Sequence, residues 1–142
     1  MLKDSAKEYD KGCYHYSTGN LLTWTLHGDL EGTYVMSITY IWPLSNPAAY
    51  KFEGHATFKG TILGVKTSWT ARVRGSGLMD YSDPENHPFK GEESWTSTLT
   101  SSGTPLSHMR GSIVIRGAFD YGVSPDQYTY TGSVMWQTGK KN

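Results

Sequence analysis

The chain has 142 residues, of which 37% are hydrophobic, 13% aromatic and 18% charged, with 13 Lys and Arg balanced by 13 Asp and Glu. One domain with a single core of ordinary size is expected at this length, and zero formal net charge excludes a nucleic acid or anionic membrane held by bulk electrostatics. The lone Cys13 excludes an intrachain disulfide and any multi-cysteine metal site, and points to a reducing compartment. Sixteen glycines and the aromatic load favour strands and tight turns over helices.

Residues 1–11 hold the only helix-compatible text, with Ser5 and Glu8 at capping-box spacing. So short a piece is expected as an N-terminal extension, frayed or at most one turn. It has no apolar h-region, and no run in the chain approaches the roughly 18 apolar residues of a membrane helix, so a cytoplasmic location is expected. The domain proper is expected over 12–138, with a solvated tail at 139–142.

Gly12 to Ser17 reads as a short strand closed by Thr18-Gly19-Asn20. Leu21 to His27 then alternates, with Leu22, Trp24 and Leu26 opposite Thr23, Thr25 and His27, and Gly28 to Gly32 forms a turn. Thr33 to Trp42 puts Tyr34, Met36, Ile38 and Tyr40 on one face and ends at Pro43. From Ala49 to Gly75 two strands are predicted as a hairpin: Tyr50, Phe52, Gly54, Ala56 and Phe58 share a face in the first, Val65, Thr67, Trp69, Ala71 and Val73 in the second. Residues 76–92 form the longest irregular segment, of a length typical of functional or disordered loops. Ser94–Thr100, Ser112–Phe119 and Gln127–Gln137 complete the set, the last with Tyr128, Tyr130, Gly132, Val134 and Trp136 on one face.

Seven or eight hairpin-connected strands without a crossover helix make an all-β antiparallel domain, a barrel or a sandwich. Gly54, Gly117 and Gly132 fall on apolar faces, where they permit strong coiling, so a small barrel of about eight strands is expected. Val35, Ile41, Val114, Ala118 and Met135 stand on faces that should be wet, which predicts a homo-oligomer packed through the wall. The competing outer-membrane barrel would turn its apolar face outward and fill its lumen with Lys51, Glu53, Lys59, Lys66, Arg72 and Arg74; the missing export signal and partly apolar second face count against it.

Phosphate loops, helical metal-binding histidine pairs and nucleophile elbows are absent from the sequence, and no cofactor or metal is expected. Asp80, Asp83, Glu85 and His87 read as a solvated acidic loop rather than a cation site. His55 beside Glu53 reads as a solvent-facing ladder, His15 between Tyr14 and Tyr16 as a satisfied structural histidine, and Cys13 as a small buried residue. The aromatic residues carry the remaining signal. Rings on inward faces fill a core, but Trp and Tyr also line ligand cavities, because each joins apolar bulk to a polar tip.

Four stretches, His27–Met36, Phe58–Trp69, Ser94–Gly111 and Gln127–Val134, resemble the DUF3224 proteins, a bacterial family of uncharacterised function, in their GDLEG, FKGTILG, SGTPLSHMRG and YTYT motifs. The resemblance covers most of the chain from Leu22 onward, apart from residues 76–92. It implies the small antiparallel barrel shared with plant allene oxide cyclases and some polyketide cyclases, a calycin-like container for an apolar substrate. No cyclase active-site motif matches position by position. The first functional expectation is a protein binding a small apolar or aromatic molecule among Trp24, Tyr34, Tyr50, Trp69, Trp95 and Tyr130, with loop 76–92 over one mouth. The alternatives are a cyclase or isomerase using that cavity, and a structural protein with a filled barrel.

Overall fold

Alternation of apolar and polar side chains carries through the computed structural model, which describes residues 2–46, 48–87, 89–102, 107–120 and 124–137. Eight strands form one antiparallel sheet in sequence order: β1 (Leu2–Lys11), β2 (Tyr14–Leu26), β3 (Leu30–Pro43), β4 (Ala49–Ile62), β5 (Val65–Met79), β6 (Lys90–Ser102), β7 (Ser107–Asp120) and β8 (Ser124–Gln137). There is no helix among the described residues. The sheet curls so that one face is enclosed, yet β1 and β8 are not hydrogen-bonded to each other among the described residues. The result is a barrel-like roll with a seam.

Burial follows the expected period of two. In β4, Tyr50, Phe52, Ala56 and Phe58 are buried while Lys51, Glu53, His55, Thr57 and Lys59 are exposed; in β5, Thr67, Trp69, Ala71 and Val73 alternate with the exposed Lys66, Thr70, Arg72 and Arg74. Ile113, Ile115 and Phe119 from β7 join the buried set. The charged face is therefore the outer one, the reverse of what a lipid-facing wall needs. Among the described residues no helix is long and apolar enough to cross a membrane.

Four expectations are corrected. Residues 2–11 form a strand rather than a frayed extension, because their charged text pairs with β2 from Leu2↔Leu21 to Lys11↔Tyr14. His15 holds that pairing, its Nδ1 2.6 Å from Asp10 Oδ1 and its Nε2 3.0 Å from Glu8 Oε1. Both carboxylates raise the His15 pKa, Asp10 the more.

Thr18-Gly19-Asn20 does not end a strand. It is a bulge inside β2, where the register slips between Ser17 and Asn20. Asn20 is fully buried and fixes the slip by donating from Nδ2 to Ser17 O at 2.8 Å. The extra residue breaks the alternation, so one bent strand reads in sequence as two.

Cys13 is exposed, because it sits in the two-residue turn between β1 and β2. The segment 76–92 is not loop throughout: β5 runs on to Met79 and β6 begins at Lys90, leaving a loop of 80–89. Gly77, in the part of β5 that continues past the predicted hairpin, interrupts the hydrophobic pattern there.

The outward apolar residues do not form one continuous patch. Val35 and Ile41 are on β3, Val114 and Ala118 on β7 and the exposed Met135 on β8, so the polar outer faces of β4, β5 and β6 separate the first pair from the other three.

Candidate functional site

Register partners in an antiparallel ladder project from the same face, so the pairings arrange the interior in rows across the strands. One row is Tyr50, Gly77, Glu93, Gly117 and Tyr128, from β4 to β8. It places a carboxylate on the inward face, midway between two tyrosines and separated from each by a glycine.

Neighbouring strands lie about 4.8 Å apart, so a side chain must cross two strand spacings to reach from β4 to β6. The glycines make that crossing possible. A Cβ on Gly77 would lie 2.2 Å from the Tyr50 ring, so the ring lies directly over that backbone. Tyr50 Oη donates to Glu93 Oε1 at 2.5 Å, and Tyr128 Oη donates to Glu93 Oε2 at 3.1 Å. Hydrogen bonds to an ionised acceptor are the stronger kind. Burial, and then the negative charge of Glu93, push the Tyr50 phenol far above its ordinary value, so it remains a proton donor at any physiological pH.

Rings surround this row. Tyr50 packs on Tyr40 and Trp42, each at 5.8 Å between centroids. Next to Glu93 on the inward face of β6, Trp95 meets Phe52 at 5.8 Å, Trp24 at 5.8 Å and Tyr128 at 5.6 Å. Trp24 and Tyr128 are closer still, 4.7 Å apart and nearly edge-on.

These last three rings wall a cavity of about 150 Å³ at the part of the seam where β2 has run past its last β1 pair, Leu2↔Leu21; Leu26, Ile115 and Tyr130 complete it, with the exposed Thr25, His27 and Thr129 also in its lining. Tyr130 closes the seam. Its Oη donates to His27 O at 2.8 Å and accepts from Leu30 N at 3.0 Å, tying β8 to the β2–β3 turn. Trp24 Nε1 is buried here without a hydrogen-bond partner. On the outer side, Glu93 and Tyr128 also line an open depression with Glu92, Arg116 and Gly117, so the carboxylate is within reach of solvent.

The six residues expected at a site divide between two settings. Trp24, Trp95 and Tyr130 line the cavity, and Tyr50 reaches the carboxylate. Tyr34 and Trp69 belong to a filled region: Tyr34 is fully buried with its Oη on Ser97 Oγ, and Trp69 stacks on Phe58 at 4.2 Å. Glu93 is missing from the sequence expectation, as is the role of Tyr128. Extending the β6 alternation of Trp95, Ser97 and Leu99 back by one step would have placed Glu93 on the inward face.

The polar residues of the loop 80–89 contact one another and the end of β7. Asp80 Oδ1 accepts from Ser82 N at 2.9 Å, Asp83 accepts from Asn86, and His87 Nδ1 lies 2.8 Å from Asp120 Oδ2 at the end of β7. Among the described residues no three His, Cys, Asp or Glu side chains converge as a metal site would require. His55 and Glu53 stand on the exposed outer face of β4.

The decisive geometry is an inward carboxylate bridged by two phenols beside an aromatic cavity. Comparison with protein-family models, curated proteins and solved structures finds no match for this chain.

Proposed function

We propose that this protein binds a small apolar or aromatic molecule in its interior, at the seam. The observation that carries the reading is the cavity of about 150 Å³ walled by Trp24, Trp95, Tyr128 and Tyr130, with the buried Trp24 N–H facing no acceptor. Ligand pockets for drug-sized molecules run to roughly 300–1,000 Å³, whereas a cavity near 150 Å³ accommodates about a benzene. The ligand, or the part of it that enters, is correspondingly small. The resemblance of the sequence to a container-like barrel family supports the same reading.

Tryptophan fluorescence tests it directly, because two of the walls are indoles. Titration with benzene, phenol and indole should give saturable changes. These should vanish in Ile115→Phe, which puts a ring into the space. No saturable change with any of the three probes in the folded wild type would overturn the proposal.

A second reading, an isomerase or cyclase acting on an apolar substrate, is favoured by one specific observation: Glu93 is an ionisable group on the inward face, held between Tyr50 and Tyr128. A carboxylate so placed can take a proton from a carbon acid, and a phenol can hold the oxygen on which charge develops. Deuterium exchange into the position next to the carbonyl of acetophenone reports this step. Wild type should accelerate it, and Glu93→Gln should remove about 10² or more of the acceleration. Equal rates in the two proteins would eliminate Glu93 as a base.

A further inference from the structure

We infer that the molecule held at the seam is a cation, a small organic ammonium whose head sits among the π-faces of Trp24, Trp95 and Tyr128 within the field of Glu93. The inference rests on the binding reading above for its site and narrows the ligand to one whose apolar methyl groups surround a positive charge.

Three features point the same way. The first is the walls. Trp24, Trp95 and Tyr128 lie 4.7–5.8 Å from one another at mutually tilted angles, and all three rings line the cavity. The face of an aromatic ring is its negative side, and indole attracts a cation best of all. An aromatic-walled recess of this kind suits a quaternary or methylated ammonium, which binds through its diffuse charge without needing an acceptor for each proton.

The second is the charge behind the wall. Tyr128 is shared: its ring lines the cavity and its hydroxyl donates to Glu93. Donation to a carboxylate draws electron density back into the phenol ring and makes its face more attractive to a cation. The field of Glu93 is felt inside the fold, since it contributes to raising the Tyr50 phenol. A neutral apolar ligand would gain from the rings but would make no use of this charge. An anionic ligand would be repelled.

The third is size. A volume of about 150 Å³ fits a trimethylammonium head and excludes a much larger skeleton. The exposed Thr25, His27 and Thr129 in the lining give any hydroxylated tail polar surroundings.

The test is a pair of probes of one shape and different charge: choline and its neutral tert-butyl isostere, each titrated into the full chain while the tryptophan side-chain N–H signals are followed by NMR. Choline should bind about tenfold or more tighter than the isostere, and Glu93→Gln should weaken choline more than the isostere, so that the preference shrinks toward equality. Circular dichroism shows whether the variant is folded. The wild-type comparison needs no variant and decides the matter alone. If isostere and choline bind equally, the cation inference fails and the binding proposal stands. If neither binds, and benzene, phenol and indole do not bind either, both fail together.

Discussion

Two interior rows, built by the same ladder geometry, are packed in opposite ways. Tyr34, Phe58 and Trp69 are register partners across β3 to β5, each of these strands contributing a ring, and the row ends at the cavity wall in Trp24, the β2 partner of Tyr34. Tyr34 and Phe58 are fully buried and Trp69 nearly so, and Phe58 stacks on Trp69 with 24° between planes. In the row of Tyr50, Gly77, Glu93, Gly117 and Tyr128, large side chains alternate with none. The first row fills space with bulk from every strand. The second leaves two strands bare so that two phenols can lean across them onto one carboxylate. What separates core from site here is where the glycines fall and which single position carries charge.

The filled row is where truncation should hurt most. Phe58→Ala removes a fully buried ring stacked on another, and should lower unfolding free energy by about 3–5 kcal/mol, the range for buried aromatics left with a cavity. Urea denaturation followed by circular dichroism measures it. A loss under about 1 kcal/mol would mean that the row is not tightly packed, and the contrast between the two rows would collapse.

The opposite perturbation belongs to the second row. Gly77→Ala adds one methyl at a point 2.2 Å from the Tyr50 ring. Overpacking of this kind costs about 1–3 kcal/mol, and the displaced ring should leave Glu93. The cause can be isolated with a double-mutant cycle. In a Tyr50→Ala background the same methyl has no ring to strike, and most of its penalty should disappear. A penalty unchanged in that background would place the cost in the β5 backbone and remove Gly77 from the account of the site.

The two rows were not equally legible in the sequence. The filled row announces itself, because unbroken alternation puts Phe58 and Trp69 on apolar faces whatever the register. The second row depends on register across five strands, which no local pattern states. Of its glycines, Gly77 lies in a stretch that reads as loop, and Gly117 lies in a predicted strand whose own pattern says nothing of a carboxylate paired with it on β6. Glu93 reads as the polar end of that loop, since inward-facing carboxylates are rare and the alternation of β6 reaches it only if the strand is carried back past Ser94. Similarly, the bulge at Gly19 shifts the phase of β2 and makes one strand look like two. The charged text of β1 hides a strand whose partner fixes it. Tyr50 and Trp24 were visible as inward aromatics, but the carboxylate that gives Tyr50 its role was not.

Alkaline titration sets the two rows against each other through one residue type. Tyr34 and Tyr50 both have raised pKa values, chiefly because burial penalises the phenolate. For Tyr50 the charge of Glu93 adds to burial, whereas for Tyr34 the hydrogen bond with Ser97 partly offsets it. The sign follows from linkage. Below the ordinary tyrosine value of 10.0 both states hold the proton and the stability is fully present. Above it the unfolded chain ionises while the native phenol does not, so stability falls as pH rises, by up to about 1.4 kcal/mol per pH unit for each such group. Tyr34→Phe and Tyr50→Phe should each flatten this slope in urea unfolding measured from about pH 9 upward. Glu93→Gln separates them: with the carboxylate neutralised, Tyr50 loses the part of its shift that comes from charge and should ionise at lower pH in the folded state, while Tyr34, in the filled row, should titrate as before. An identical response of both tyrosines to Glu93→Gln would show that the carboxylate's field is not confined to its own row.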